Sequence, residues 1–142
     1  MIKKGLAVLI QWLERRGYEV SLNSNTNAID PQKMKVSICN ASPLHVLYTL
    51  AHEAGHEVLF MNPNYDTKFK SVRYAEERDG RHGKSKLYRF KKLTEEINAW
   101  EEGYKLLDRL GVKLNKVAYD TYAAKSVNTY IKYLATSTGP TG

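Results

Sequence analysis

The stretch that decides the fold is residues 48–56, YTLAHEAGH, which contains the pattern H-E-x-x-H. Residues four apart on an α-helix lie one above the other on the same face, so His52 and His56 can direct their ring nitrogens at one point. A Zn²⁺ ion at that point would keep room for a third protein ligand and a water. Glu53 follows the first histidine and would stand beside that water as a general base. The spacing therefore predicts a catalytic metal centre on a helix.

The residues around the motif predict that this helix is long and buried. Ser42 and Pro43 are typical of a helix start, with Ser as the N-cap and Pro in the first turn. Gly in a helix interior costs about 1 kcal/mol relative to Ala, so Gly55 indicates either a close approach to the backbone or a packing requirement. The helix should end near residues 61–64, MNPN, where Pro and Asn break the pattern. Its predicted apolar face consists of Leu44, Leu47, Tyr48, Ala51, Gly55, Val58 and Leu59.

The segments before this helix predict one further helix and two strands. Residues 3–16 place apolar side chains at helical spacing, and Gly17 is a stop signal. Residues 18–22 and 33–39 alternate apolar and polar side chains, as strands do. Residues 23–31, rich in Asn and Ser, are typical of a turn. This order predicts an α+β fold in which a small sheet packs on the metal helix.

Two more helices are expected after the metal helix. The first should begin at Lys92 and end before Gly111, and the second should cover residues 116–134 with a tyrosine-rich side. Two segments lie between the motif and these helices, at residues 68–74 and 86–90. Either they pair as a hairpin, or residues 68–74 form a short helix. The apolar face of the first helix is formed by Leu93, Ile97, Trp100, Tyr104 and Leu107.

The length of the chain, 142 residues, is that of one domain. We therefore expect a single domain over residues 1–134, followed by a disordered tail over 135–142 that has nothing to bury.

A third metal ligand must come from outside the motif, either from a glutamate of the helix that follows or from the imidazole of His82. At about 100° per residue, Glu96 lies roughly 65° from the centre of that helix's apolar face and Glu101 roughly 75° on the other flank. Either carboxylate can face inward. Glu95 and Glu102 lie nearly opposite the apolar face and should be in water.

The formal net charge is +7, and the basic residues are unevenly placed. Many of them lie within residues 68–92. Such a basic cluster favours a nucleic acid or an acidic protein as partner, or else it is a solvated face. Three acids, Glu76, Glu77 and Asp79, lie among ten basic residues, namely Lys68, Lys70, Arg73, Arg78, Arg81, Lys84, Lys86, Arg89, Lys91 and Lys92.

Cys39 is the only cysteine, which excludes a disulfide framework and a zinc ribbon. Residues 1–10 begin like a signal peptide, but charged residues follow without a small-residue cleavage site. No stretch is long and apolar enough for a membrane span. These features predict a cytoplasmic protein without a membrane partner.

Three segments together resemble the ImmA/IrrE family of zinc metallopeptidases: VSICN at 36–40, YTLAHEAGH at 48–56 and Glu96-x-x-Ala99 on a following helix. The resemblance covers roughly residues 1–110 in layout. It implies a zincin-like minimal metallopeptidase, Glu96 as the third ligand, cleavage of one cognate repressor, and a phage or mobile-element origin. The chain departs from the family pattern at Glu57, where zincins generally carry an uncharged residue, and at Glu102-Gly103, where a phenylalanine-alanine pair is expected.

A weaker resemblance concerns His82 and Gly83. They are similar to the H-G that supplies the third histidine in SprT-like proteases, which act on proteins bound to DNA. This resemblance implies His82 as the alternative third ligand, and the basic residues of 68–92 would suit such a role.

The sequence as a whole predicts a zinc-dependent metallopeptidase that hydrolyses a specific protein substrate, with Glu53 as general base. Hydrogen-bond donors for the oxyanion are sought in the loop region, at Tyr65, Tyr74, His82 or Tyr88. The alternative is a catalytically silent, zinc-containing basic protein that binds nucleic acid or an acidic partner.

Overall fold

The computed structural model describes residues 2–64 and 86–137, which form four helices and three strands. This arrangement confirms the α+β class. None of the helices in the described ranges combines the length and the apolar character that a bilayer crossing requires. In chain order the elements are α1 (Ile2–Arg15), β1 (Glu19–Ser24), β2 (Ala28–Asp30), β3 (Lys35–Cys39), α2 (Pro43–Met61), α3 (Lys86–Arg109) and α4 (Lys116–Ser137).

The three strands form one mixed sheet in the order β1-β3-β2. β3 is central, parallel to β1 and antiparallel to β2, and it turns Val36 and Ile38 into the core. β2 lies within the segment that the sequence predicts to be a turn. Its three residues are too few to show an alternating pattern, and only pairing with β3 defines it as a strand.

Helix α2 lies at the centre of the molecule. The Ser42 hydroxyl accepts a hydrogen bond from the backbone N–H of His45, which confirms the predicted start at Ser42 and Pro43. The middle of the helix is buried on all its sides, including positions Val46, Leu50 and Ala54 that lie outside the predicted apolar face. A helix enclosed by other elements carries apolar residues on every side. Its sequence therefore shows only a weak periodicity of apolar residues on one face.

The backbones of α2 and α3 approach each other closely at two glycines. A Cβ atom on Gly55 would overlap the carbonyl oxygen of Ala99, and one on Gly103 would overlap that of Ala51. The close approach predicted from Gly55 is therefore confirmed, and the backbone concerned is that of α3. The same contact gives a physical reason for Gly103, where the family resemblance leads one to expect alanine.

Helix α3 begins earlier than predicted. Residues 86–90 belong to its first turns, so a hairpin that uses them as a strand is wrong, while residues 68–74 lie outside the described part of the chain. Ile97, which the pattern places on the apolar face, is 39% exposed. The contact at Gly103 turns Ala99 and Trp100 towards α2, and this rotates Ile97 outward.

Helix α4 continues to Ser137, three residues past the predicted end, and residues 138–142 lie outside the described ranges. The hydroxyl of Tyr119 is buried and donates a hydrogen bond to the carbonyl oxygen of Trp100. This bond, with the Tyr119 ring in the core, attaches α4 to α3.

Glu57, the charged residue after the second histidine, is buried between α2 and the end of α1. Its carboxylate accepts a 2.7 Å hydrogen bond from the Tyr18 hydroxyl and lies 3.5 Å from Nε of Arg16. A buried charge requires such partners. Glu57 thus connects α2 to the start of the sheet.

We expect Gly55→Ala and Gly103→Ala to destabilise the protein by about 2–3 kcal/mol or more, because the added methyl group meets backbone that cannot move aside. In an exposed helix the same change would stabilise by about 1 kcal/mol. Urea unfolding measures the difference. Gly111→Ala is the matched control, since its added Cβ meets nothing within 4 Å and only the positive φ of 83° opposes it. A neutral or stabilising Gly55→Ala would contradict the close approach.

Candidate metal centre

The two histidines of the motif lie on the face of α2 that is turned towards α3. Both side chains are more than nine-tenths buried, and their ring centroids are 4.7 Å apart. Nε2 of His52 lies 2.8 Å from one carboxylate oxygen of Glu96, and Nε2 of His56 lies 3.4 Å from the other. The two Nε2 atoms therefore converge on one carboxylate from a different helix.

Helical phase left two glutamates of α3, Glu96 and Glu101, as candidates for the carboxylate that faces inward, and the structure distinguishes them. Glu96 faces the histidines, whereas Glu101 is exposed and does not face inward. Glu102 is half-buried rather than fully in water. The inward position of Glu96 agrees with the phase argument.

The prediction that Glu95 lies in water is wrong. Its side chain is buried, and one carboxylate oxygen lies 3.6 Å from Nδ1 of His56. The helical-phase argument used only the apolar residues of α3. In the structure α3 packs so closely on α2 that its flank is covered as well, and the polar group that Glu95 meets there is Nδ1 of His56. A carboxylate behind the outer nitrogen of a histidine is the arrangement that orients metal-binding imidazoles.

His52 is held differently from His56. The Trp100 ring stacks on its imidazole, with centroids 4.2 Å apart and an interplanar angle of 25°. Nδ1 of His52 is buried and has no hydrogen-bond partner among the described residues. The ring is therefore fixed by stacking, with Nε2 as the nitrogen that faces the cleft.

Glu53 completes a compact group with the histidines. Ligand atoms of His52, Glu53 and His56 all lie within 4.8 Å of one another, and the three residues are buried. Such a group could hold a metal ion. Burial raises the pKa of the Glu53 carboxyl, and the nearby histidines only partly offset this effect.

The electrostatics of the group favour a cation. Burial alone would lower the pKa of His56, but hydrogen bonds with Glu95 and Glu96 outweigh it and raise the pKa to about 10. Burial would likewise raise the pKa of Glu96, yet hydrogen bonds from both histidines hold it well below its usual range. The buried carboxylates of Glu53 and Glu95 and the partly buried carboxylate of Glu96 surround two imidazoles and need compensating positive charge. A divalent cation fits this donor set in both its charge and its ligand types.

The group opens onto a cleft of about 480 Å³. Its floor is a stripe of α2, and its walls come from α3, from the segment around β2 and from α4. The α4 residues on the wall include Ser126, which the sequence does not mark, and Tyr122 and Tyr130, which it marks only as part of a tyrosine-rich side. Their role in the cleft could not be read from the sequence, because it depends on how α4 packs against α3.

Several predicted residues lie outside the described part of the chain. They are Tyr65, Tyr74 and His82, together with the side chain of Tyr88. Of the basic residues in 68–92, the structure describes Arg89, which is buried, and Lys91 and Lys92, which are half-buried. Lys92 lines the cleft.

Comparisons of the chain with models of protein families, with curated proteins and with solved structures returned no match.

We expect Glu95→Gln to weaken binding of the metal to neutral His56 about 10- to 100-fold, because it removes the charge behind that ring. The affinities are compared across pH, so that the smaller competition from the His56 proton in the variant is taken into account. Competition with a chelating dye measures the affinity for Zn²⁺. Glu101→Gln is the matched control, since that carboxylate lies on the same helix and is exposed. Equal affinities in the two variants would show that Glu95 does not support the site.

We also expect metal binding to release protons at an unusually high pH. A metal ligand must be a neutral imidazole, and His56, with a pKa of about 10, is still protonated at pH 8. An ordinary histidine, with a pKa of about 6.5, would release almost no proton there. Calorimetry in buffers of different ionisation enthalpy should therefore give about one proton from His56 per ion at pH 8, and an affinity that rises as pH approaches 10.

Glu95→Gln provides the control for this titration. It removes a hydrogen bond that raises the pKa of His56, so proton release at pH 8 should fall. Any proton lost by solvent at the site is common to both proteins and cancels in the comparison. An unchanged release would contradict the assignment to His56.

Proposed function

We propose that this protein is a zinc-dependent metallopeptidase of the zincin type, with His52, His56 and Glu96 as metal ligands and Glu53 as general base. The observation that carries the proposal is the convergence of both Nε2 atoms on the Glu96 carboxylate, beside Glu53 and at the floor of a cleft. Two histidines and one glutamate are a donor set of catalytic zinc sites, which leave one position for water or substrate. Structural zinc sites, by contrast, have four protein ligands and are closed.

Zinc bound there would lower the pKa of a water and polarise the carbonyl of the scissile bond. Glu53 would take the proton of that water as it attacks the carbonyl carbon. It would then give the proton to the leaving amine, as microscopic reversibility requires of a single acid–base group. Burial raises the pKa of Glu53, which favours the protonated carboxyl that this second step requires.

The neighbours of the ligands would have positioning roles. Glu95 would orient His56 through Nδ1, and Trp100 would keep His52 in place by stacking. The partners of Glu57, the cation of Arg16 and the hydroxyl of Tyr18, lie elsewhere, between α1 and β1, so this residue would stabilise α2 without entering the chemistry.

The resemblance to the ImmA/IrrE family supports a protein substrate of narrow specificity. An enzyme of this kind would leave a general substrate such as casein intact. Cleavage is therefore best sought by labelling new N-termini in a proteome incubated with the zinc-loaded protein.

We expect Glu53→Gln to keep its zinc while losing a factor of about 10²–10⁴ in peptide hydrolysis, because it removes the general base but no ligand. His52→Ala should lose both zinc and hydrolysis. Metal analysis and the appearance of new N-termini measure the two properties, and Glu101→Gln serves as the control of matched chemistry. If Glu53→Gln cleaved as fast as the original chain, or if no new N-termini appeared with zinc bound, the alternative of a catalytically silent zinc-containing basic protein would stand.

A further inference from the structure

Tyr122 is an α4 residue of the cleft that several contacts hold in place. Its ring stacks on His45 with centroids 4.5 Å apart, and it also contacts Tyr48 at 5.4 Å and Trp100 at 5.9 Å. These neighbours belong to the first turns of α2 and to the middle of α3. The phenol is therefore held from two helices at once.

The hydroxyl of Tyr122 lies beside the stripe of α2 that carries the proposed chemistry. It is 3.3 Å from Oγ1 of Thr49. Thr49 and Glu53 are four residues apart on one face, both line the cleft, and they are separated by about 6 Å along the helix axis. The Tyr122 hydroxyl thus stands at the cleft wall one helical turn before the general base.

We propose that Tyr122 is a catalytic residue that donates a hydrogen bond to the oxyanion formed when the peptide carbonyl is attacked. The inference rests on the proposed peptidase function. In that step a bond forms between the water oxygen and the carbonyl carbon, the water proton moves to Glu53, and the C=O electron pair moves onto the oxygen. Tyr122 transfers no proton. It stabilises the negative oxygen through its O–H.

The contact with Thr49 is suited to such a change of partner. At 3.3 Å it is long for a bond between two hydroxyl groups, and both partners are neutral. A hydrogen bond to an anionic oxygen is shorter and about twice as strong. The hydroxyl is therefore oriented by Thr49 in the resting protein and turns to the oxyanion when charge develops. The aromatic contacts keep the ring in place, so little reorganisation accompanies the reaction.

The decisive variant is Tyr122→Phe, measured on a peptide taken from a cleavage site found in the proteome experiment. We expect kcat to fall by a factor of about 100 or more, with KM little changed. The second readout is binding. A phosphonamidate of the same peptide presents an anionic tetrahedral group and should bind more weakly to Tyr122→Phe by a similar factor. The same peptide ending in a thiol binds the metal without such a group and should keep its affinity.

Tyr133→Phe is the matched control, because it makes the same change on the same helix at an exposed side chain outside the cleft lining. Its kcat and phosphonamidate affinity should equal those of the original chain. Unchanged phosphonamidate affinity in Tyr122→Phe would overturn the assignment. It would also be overturned if Tyr130→Phe, and not Tyr122→Phe, bound the phosphonamidate more weakly while keeping its affinity for the thiol peptide. If Tyr122→Phe bound the phosphonamidate and the thiol peptide equally weakly, or lost its zinc, Tyr122 would have a structural role and the assignment would be overturned as well.

Failure of the peptidase function and failure of the Tyr122 role alone give different results. If the zinc-loaded original chain produced no new N-termini in the proteome, the peptidase function would fail and this role with it. If the original chain cleaved and bound the phosphonamidate, and Tyr122→Phe behaved like it, only the role of Tyr122 would be wrong.

Discussion

The backbones of α2 and α3 meet at Gly55 and Gly103, and the candidate metal centre depends on that contact. Side chains at the crossing would hold the two helices farther apart, at the usual interaxial distance of 8–10 Å or more. Without them, the carboxylate of Glu96 reaches both histidines directly. The same approach covers the flank of α3 and places Glu95 behind His56. One packing constraint thus organises the proposed ligands and their support together.

The concentration of buried charge is the second property of the centre. Glu53, Glu95 and Glu96 line the cleft around two histidines, with Lys92 also on its wall, and carboxylates withdrawn from water in this way need compensating positive charge. Protons can supply part of the positive charge, which is why the pKa of His56 is raised. A divalent ion would supply more, and it would compete with those protons. Metal binding and protonation are therefore linked in this centre.

Much of the fold could be predicted because its signals are local. Ser42 and Pro43 mark the start of α2, and Gly17 and Gly111, both at positive φ, end α1 and α3. β2 was missed, since three residues become a strand only through pairing with β3. The burial of Glu95 and the exposure of Ile97 were missed for a related reason: helical phase assigns a face from apolar residues alone, whereas the actual face was set by the contact with α2.

By itself the sequence determined the two histidines and the glutamate of the motif, since their relative positions follow from the geometry of a single helix. It also determined that Glu96 can face inward, and it indicated either a close approach or a packing requirement at Gly55. Only the tertiary structure decided which carboxylates meet the histidines, and that Tyr122 lines the same cleft. Those relations join residues 39 or more positions apart, and no periodicity within one element encodes the distance between two elements.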